Sequence, residues 1–322
     1  MTRRHTFQVA AIAIVVLVFI LILRGVNYGK LADALVGVSW LWLVAIVLLN
    51  LLNTWIEAVR WKMIVSSIKP EARTWNTFVA ILAGVAGNAV LAFRLGDGLR
   101  ALVLARREKL TVATSLGTEM LDRIADVTIF LAIVVVTGLV LDLPARVRKA
   151  AIAGGVALVV AVVAMVLLIR FRRHLEATGG RGFGAKVAAQ IHRFTIGLSA
   201  LRNAGILLPV SLLSVVSWGI RLTMVLAVYR AFHLGLSAIA AAVFLIFSNL
   251  GIAALSTPAN LGGFEIGGLG ALRLFGVETE HALGCTLVFH LVEVVPMALL
   301  GLAVLWHMGI KSRDFLAQPA SR

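Results

Sequence analysis

The sequence predicts an all-α integral membrane protein with about six spanning helices and two re-entrant hairpins made of broken helices. Hydrophobic residues make up 61% of the 322 residues and charged residues only 14%, whereas soluble domains have about 45–50% and about 25%. The apolar residues also fall in blocks long enough to cross roughly 30 Å of hydrocarbon. Glycine, proline and asparagine interrupt two of these blocks. We therefore expect a single transmembrane domain over residues 1–322.

The spanning helices are predicted from uninterrupted apolar blocks, each long enough to cross a bilayer. These blocks are 7–23, 39–55, 112–141, 150–169, 205–229 and 281–306. Tryptophans near membrane boundaries ordinarily anchor a protein in the interface. This role is predicted for Trp40, Trp42, Trp55, Trp61 and Trp75.

Two further apolar stretches, 76–93 and 238–256, each lead through a glycine-rich break into a short second helix. Broken backbone at hydrocarbon depth survives only inside protein or beside a water-filled cavity. Each break is followed by a long span that carries ionisable residues. The sequence therefore predicts a weak internal repeat, with halves at about 76–141 and 238–306 and with inverted orientation.

The distribution of basic residues predicts the orientation of the chain in the membrane. If both broken segments are hairpins, 20 of the 30 Lys and Arg residues fall on the side of the two termini, among them Arg60 in the connection after the block 39–55. The positive-inside rule makes that side cytoplasmic, so we expect a multi-pass protein of the cytoplasmic (inner) membrane. The basic segment 171–203 is expected to lie on the anionic inner leaflet. Bases in short clusters between apolar spans argue against nucleic-acid binding.

The block 112–141 carries four ionisable residues, Glu119, Asp122, Arg123 and Asp126. Helical spacing places them on or near one face, and Glu119 can pair with Arg123 one turn later. A charge at the helix centre costs about 2.5–3.5 kcal/mol on insertion scales. Two interpretations follow: an ion network that locks this helix to its neighbours, or the lining of a substrate cavity.

The first break combines Arg94, Asp97 and Arg100 with two glycines at the start of a helix. Asp97 can cap that helix, and a helix N-terminus beside arginines is suited to a phosphate. In the alternative interpretation, Asp97 only caps the helix and Arg94 only pairs with a carboxylate of the following span. Both readings stay open at the sequence level.

The second break and its flanking spans supply the other candidate residues. Glu265 follows Asn260 and two glycines, and its position in a first helical turn favours the helix dipole. His290 and Glu293 are three residues apart and could form a proton relay. No second His or Cys stands at ligand spacing, so we expect no metal. A further ionisable residue, Arg221, lies within the block 205–229 and needs a buried acidic or lipid-phosphate partner.

These runs resemble a known family. The run 87–100, G-N-A-V-L-A-F-R-L-G-D-G-L-R, and the element at 118–126 are similar to motifs of the lysylphosphatidylglycerol synthase transmembrane domain, a flippase-like family. The run 256–265, S-T-P-A-N-L-G-G-F-E, resembles its second hallmark. Ala92 stands where family members often have proline. The aminoacyl-transferase domain of full synthases is missing, so the resemblance implies lipid translocation without synthesis, with a hopanoid-associated member as one option.

From these observations we expect a lipid flippase or transporter for an anionic or glycosylated lipid, not an enzyme, with no cofactor. Substrate-binding residues are predicted at the two breaks and the charged spans; they are Arg94, Asp97, Arg100, Glu119, Asp122, Arg123, Asp126, Arg221, Asn260, Glu265, His290 and Glu293. The alternatives are an intramembrane lipid-modifying transferase and a non-catalytic subunit of a lipid-synthesis complex. The expected partners are the lipid itself and, beyond it, further copies of the chain or lipid-biosynthesis enzymes.

Overall fold

The computed structural model describes residues 26–91, 94–140, 149, 156, 160, 163–164, 167, 183–198, 204–255 and 257–308. Within these residues the secondary structure is entirely helical, which confirms the all-α prediction. Ten α-helices are described, with one short 3-10 helix at Pro258–Asn260. The α-helices are α1 Tyr28–Val36, α2 Trp40–Ser66, α3 Thr74–Val90, α4 Leu95–Glu108, α5 Val112–Val140, α6 Phe183–Gly197, α7 Ala204–Ala231, α8 Ala238–Ala254, α9 Gly263–Leu274 and α10 Thr279–His307.

Four of the described helices are long and apolar enough to cross a membrane, namely α2, α5, α7 and α10. They correspond to four of the six predicted blocks. Helix α5 ends one residue before its predicted limit, α7 and α10 extend theirs by one or two residues at each end, and α2 continues for eleven residues at its C-terminal end. The predicted spans 7–23 and, apart from isolated helical residues, 150–169 lie outside the described residues.

Helix α2 differs most from the sequence prediction, which ended the span at residue 55. The helix continues to Ser66 because no glycine or proline interrupts the segment after Trp55. Arg60 and Trp61 therefore lie within the helix, and both are buried, with 2% and 0% of their surface exposed. The prediction of an interface anchor at Trp61 is wrong, and so is the placement of Arg60 in the connection after the span.

The first predicted break is confirmed between α3, which ends at Val90, and α4, which begins at Leu95. Gly87 and Gly96 bring the two helices together near the break, because a Cβ on Gly87 would lie 2.8 Å from the Cα of Gly96. Side chains larger than hydrogen do not fit there. Asn88 fixes the turn: its Oδ1 accepts from the Gly96 N–H at 2.8 Å.

The base of this hairpin is held by the carboxylate of Glu108, which is 3% exposed. It accepts from the backbone N–H of Arg73 at 3.0 Å and from Nδ2 of Asn76 at 2.7 Å, and Lys69 Nζ lies 3.1 Å away. Burial raises the pKa of Glu108, but these hydrogen bonds and the lysine charge outweigh burial and lower the pKa below its usual value.

The second predicted break is confirmed between α8 and α9, and it contains more residues than the first. Its close approach depends on Gly251 and Gly263, since a Cβ on Gly251 would lie 2.0 Å from the carbonyl oxygen of Gly263. Gly267 meets the backbone of Phe247 in the same way, at 2.2 Å. Small residues let the two helices pack with their backbones in contact, as membrane helices often do.

The same order of elements occurs twice in the chain. A 17-residue helix, a break, a short helix and a 29-residue span follow one another in α3, α4 and α5, and again in α8, α9 and α10. The short helices have 14 and 12 residues. The internal repeat and the inverted orientation of its halves stay predictions.

The described residues belong to two units. The first comprises 26–53, 82–99 and 219–308, and its core contains an aromatic cluster of Tyr229, Phe244, Phe264 and Phe289. The second comprises 54–81 and the described residues from Arg100 to Trp218. In it, α6 packs on the start of α5, where a Cβ on Gly117 would lie 2.2 Å from the carbonyl oxygen of Phe194. Helix α6, which is part of the segment 171–203, thus packs against α5. Contact of the segment with the inner leaflet stays a prediction.

Candidate functional site

The second unit contains a buried ion network centred on Asp122 of α5, which is 1% exposed. Its carboxylate accepts from Nε of Arg60 and from Nη2 of Arg100, each at 2.8 Å. Arg60 comes from α2 and Arg100 from α4, so one carboxylate joins three helices. Charge-assisted hydrogen bonds of this length are among the strongest in proteins.

The two arginines are held by further contacts within the same unit. Arg60 Nη1 donates to Asp126 Oδ1 and to Ser214 Oγ, both at 3.0 Å. The guanidinium of Arg100 lies 4.2 Å from the ring centre of Trp61. Such a cation–π contact is more stabilising when the arginine is shielded from water. Trp61 is itself fixed, because its Nε1 donates to Thr118 Oγ1 at 3.1 Å.

Glu119 completes the network. Its Oε1 lies 3.9 Å from Arg100 Nε and 4.0 Å from Arg123 Nη2, so the predicted pairing with Arg123 is present at the edge of ion-pair distance. A fourth carboxylate, Glu57 of α2, lies near Arg60 and interacts with it electrostatically. The residues joined by ion pairs are three arginines and three carboxylates, whose charges compensate one another; they are Arg60, Arg100, Arg123, Glu119, Asp122 and Asp126. This balance favours the ion-network interpretation, since a buried set of charges must be compensated. A transport role for these residues stays a prediction.

The first break lies in the first unit and carries Arg94, whose side chain is 50% exposed. Arg94 precedes α4 and has a left-handed backbone, with φ at 54°. Its Nε lies 3.5 Å from Asp97 Oδ2. Asp97 is the third residue of α4 and accepts from Nδ2 of Asn88 at 3.0 Å, so the predicted N-cap role of Asp97 is wrong. A Cβ on Gly98 would meet open space, so the start of α4 is accessible.

The second break holds the most constrained backbone. Ala259, Asn260 and Gly262 have φ values of 52°, 60° and 86°. Left-handed conformations cost a non-glycine residue roughly 1–2 kcal/mol each, so other contacts must stabilise the loop. One of them comes from Glu265 in the first turn of α9, whose Oε2 accepts from the Gly262 N–H at 2.6 Å. The position of Glu265 in the first turn is as predicted.

The other stabilising contact comes from α10. His290 lies beside Glu265, with 2.6 Å between Nδ1 and Oε1, and its Nε2 lies 2.9 Å from the carbonyl oxygen of Ala259. The ring stacks on Phe264 with centres 4.4 Å apart. The relay was predicted between His290 and Glu293. The structure instead brings His290 to Glu265, while the backbone carbonyl of Glu293 accepts from Nδ2 of Asn50 at 2.7 Å.

An apolar groove of about 260 Å³ adjoins His290 in the first unit. Ala89, two residues before the first break's Leu91, contributes to its wall, as do Ala259 and Leu261 from the second break. The rest of the wall belongs to α10; its residues are His290, Leu291, Val294, Val295, Ala298 and Leu299. Helix α10 lies tightly on α3 there, since a Cβ on Gly301 would be 2.1 Å from the carbonyl oxygen of Leu82. The groove thus borders both interrupted hairpins.

The remaining predicted residues are dispersed within the first unit. Asn260 lies in the second break itself, and Glu293 and Arg221 are half-buried in α10 and α7. Over the part of the chain that the structure describes, no three His, Cys, Asp or Glu side chains are arranged to hold a metal ion. Sequence reasoning missed Arg60 and the Ala259 carbonyl. The absence of glycine and proline between Trp55 and Ser66 could have indicated that Arg60 lies within the helix.

Comparison with protein families identifies this architecture. The family model described as the lysylphosphatidylglycerol synthase TM region matches residues 8–301. The chain belongs to this family. The match confirms the resemblance found at the two breaks, and it makes the chain a membrane domain of a family associated with lipid handling. A comparison with curated proteins found no match.

Proposed function

We propose that this protein is a lipid flippase or transporter that moves an anionic or glycosylated lipid across the cytoplasmic membrane. The observation that carries the proposal is the apolar groove bordered by both helix breaks and α10. Broken helices at membrane depth are the usual place of substrate sites in transporters, and an apolar groove suits an acyl chain.

The head group is proposed to pass near the first break. Arg94 is half-exposed there at the start of α4, and Gly98 leaves the first turn of the helix open. A helix N-terminus beside an arginine attracts phosphate oxygens. The nearby carboxylate of Asp97 limits the attraction for anions, so a lipid with both charged and neutral head-group parts, such as a phosphate-linked sugar, fits this surface as well as a simple phosphate.

The other parts of the proposal concern location, chemistry and energy. The distribution of Lys and Arg supports an inner-membrane protein with both termini in the cytoplasm. The lipid would leave chemically unchanged, so the protein would not be an enzyme, and further copies of the chain or lipid-biosynthesis enzymes would be its protein partners. The sequence has no G-x-x-x-x-G-K-[ST] motif, so movement would be downhill or coupled to protons.

Proteoliposomes test the proposal directly. Fluorescent phosphatidylglycerol is placed in both leaflets, and a membrane-impermeant reductant reports how fast the inner-leaflet lipid reaches the outer leaflet. Val295→Trp fills the groove from a position that is 44% exposed. Leu302→Trp is the matched control, because Leu302 is 47% exposed on the same helix but does not line the groove.

We expect the wild type and Leu302→Trp to accelerate lipid movement over empty liposomes, and Val295→Trp to slow it by about tenfold, the equivalent of about 1.4 kcal/mol in the barrier. Equal rates for the two variants would contradict the role of the groove. No acceleration by the wild type with phosphatidylglycerol and with a polyprenyl-phosphate sugar would contradict transport. A changed mass of the recovered lipid would favour the transferase instead.

A further inference from the structure

The second break contains a histidine whose two ring nitrogens both face acceptors. The carbonyl oxygen of Ala259 can only accept, so Nε2 of His290, at 2.9 Å, must carry a hydrogen. On the other side, Nδ1 and Glu265 Oε1 are 2.6 Å apart, and a hydrogen must lie between them too. The pair therefore holds one proton more than a neutral imidazole and a carboxylate would hold together.

From this geometry we infer that Glu265 and His290 form a proton-binding site that opens and closes the second helix break. The inference rests on the proposed transport function and names its coupling ion. With the proton bound, the imidazole reaches both Glu265 and the Ala259 carbonyl. When the proton leaves, only one ring nitrogen keeps a hydrogen. Either Nδ1 then faces the carboxylate with a lone pair, or Nε2 faces the Ala259 carbonyl with one.

Loss of the bond to Ala259 matters because the local backbone depends on it. Ala259 and Asn260 are both left-handed, at φ values of 52° and 60°, and such backbone persists only when its surroundings hold it. Ala259 itself lines the apolar groove. An unpaired carbonyl there must move toward water or another donor. Proton release is thus expected to change the shape of the groove wall.

Three of the segments in the same unit as the pair carry no ionisable side chain that could take its proton. The segments of α2, α3 and α8 in this unit, 40–53, 82–90 and 238–254, contain no Asp, Glu, Lys, Arg or His. On α10 itself, Glu293 lies nearly one turn from His290, and Glu278, Glu280, His281 and His307 lie at or near the helix ends. The Asp, Glu, Lys, Arg and His residues described elsewhere in this unit are Lys30 and Asp33 of α1, Arg94 and Asp97 at the start of α4, Arg221, Arg230 and His233 in or just after α7, and Arg273 of α9. Phe264 covers one face of the His290 ring. Ionisable groups placed this way inside membrane proteins commonly serve as proton sites.

The test uses Glu265→Gln. This variant can form every hydrogen bond of the proton-bound, closed break without binding the extra proton. The glutamine oxygen accepts from the Gly262 N–H in place of Oε2, and its amide donates to Nδ1 of a neutral imidazole, whose Nε2–H still reaches Ala259. Because Gln does not titrate, this variant should stay closed at all pH values. His290→Ala should be open at all pH values. His281→Gln removes an exposed histidine of the same helix and is the control.

Hydrogen–deuterium exchange of residues 257–264 in nanodiscs, corrected for the pH dependence of intrinsic exchange, measures the opening. As the pH rises from about 5 to about 8, the range in which histidine in general changes charge, we expect protection of the wild type and of His281→Gln to fall at least about tenfold. Protection of Glu265→Gln should stay constant and high. A flat wild-type profile, or an unchanged pH dependence in Glu265→Gln, would overturn the inference even if His290→Ala fails to fold.

Lipid transport provides the second measurement. The flip rate of the wild type should change with a pH gradient across the liposome, and the rate of Glu265→Gln should not. If the wild type moves no lipid while its exchange responds to pH as described, the proton site stands and the transport function fails. If lipid moves but exchange and flip rate ignore pH in the wild type, transport stands and the proton site fails.

Discussion

Asp122→Asn is expected to destabilise the protein by about 3–5 kcal/mol, because it removes the carboxylate that compensates two buried arginines. Asp122 is 1% exposed and contacts Arg60 and Arg100 at 2.8 Å each. The arginines are 2% and 4% exposed, so both are shielded from water in the folded protein. Asparagine has nearly the same shape and keeps one acceptor, so the substitution changes charge more than packing.

The size of the loss in stability distinguishes two descriptions of the network, as ordinary hydrogen bonds or as buried charges that compensate one another. Hydrogen bonds between membrane helices contribute on average about 0.6 kcal/mol each, so losing two ordinary hydrogen bonds would cost only about 1 kcal/mol. An uncompensated buried charge costs several times more. Reversible unfolding in bicelles by added detergent measures the difference. Removing a second charge, as in Arg60→Met/Asp122→Asn, should recover part of the loss, since one unpaired arginine is gone.

A matched surface pair serves as the control. Lys30 and Glu278 form an ion pair whose side chains are about half exposed, at 56% and 51%, and Lys30→Met should leave unfolding unchanged because exposed pairs contribute little. A loss for Asp122→Asn no larger than that of Lys30→Met would refute the reasoning. It would mean that water reaches the arginines, and the balanced network would then be a wet cavity.

Two further predictions concern the hairpins. Gly251→Ala should destabilise the protein by about 1–3 kcal/mol, because its Cβ would lie 2.0 Å from the Gly263 carbonyl oxygen. Gly284→Ala, whose Cβ would have no neighbour closer than 3.4 Å, should not; equal unfolding curves would contradict the prediction. The lowered pKa of Glu108 means that its carboxylate stabilises the fold above its ordinary pKa of about 4.3 and loses this effect as pH falls through the lower, folded value. Thermal unfolding should therefore show a wild-type advantage over Glu108→Gln at neutral pH that shrinks in acid, and a constant difference would contradict the assignment.

The length of the apolar blocks was sufficient to predict the helical fold, and the glycine, proline and asparagine that interrupt two blocks predicted both breaks. Long apolar blocks have one solution in lipid, so α5, α7 and α10 begin and end within a few residues of their predicted limits. Gly87 and Gly96 in one hairpin, and Gly251 and Gly263 in the other, mark backbone contacts that any larger side chain would prevent. Such local signals survive in a single sequence because each depends on one residue type.

Partners distant in sequence could not be predicted in the same way. His290 was paired with Glu293 because helical spacing is visible in a sequence, but Glu265 lies 25 residues away and meets His290 only after the hairpin packs on α10. Arg60 was assigned to a loop because charges near the end of an apolar block usually mark its limit. Its partner Asp122 is 62 residues away. Pairing in a bundle follows tertiary packing, which spacing does not encode.

The Ala259 carbonyl also has a consequence for the order of assembly during synthesis. The first hairpin contains its own donor and acceptor, since Asn88 binds Gly96 from within the same segment. The second hairpin depends on His290, which belongs to α10 and leaves the ribosome about thirty residues after Ala259. Until that helix has entered the bilayer, the Ala259 carbonyl lacks His290 as its hydrogen-bond donor and must stay in contact with water. A nascent chain ending before Thr279 should therefore hold this loop at the aqueous surface, and the last helix should complete its insertion.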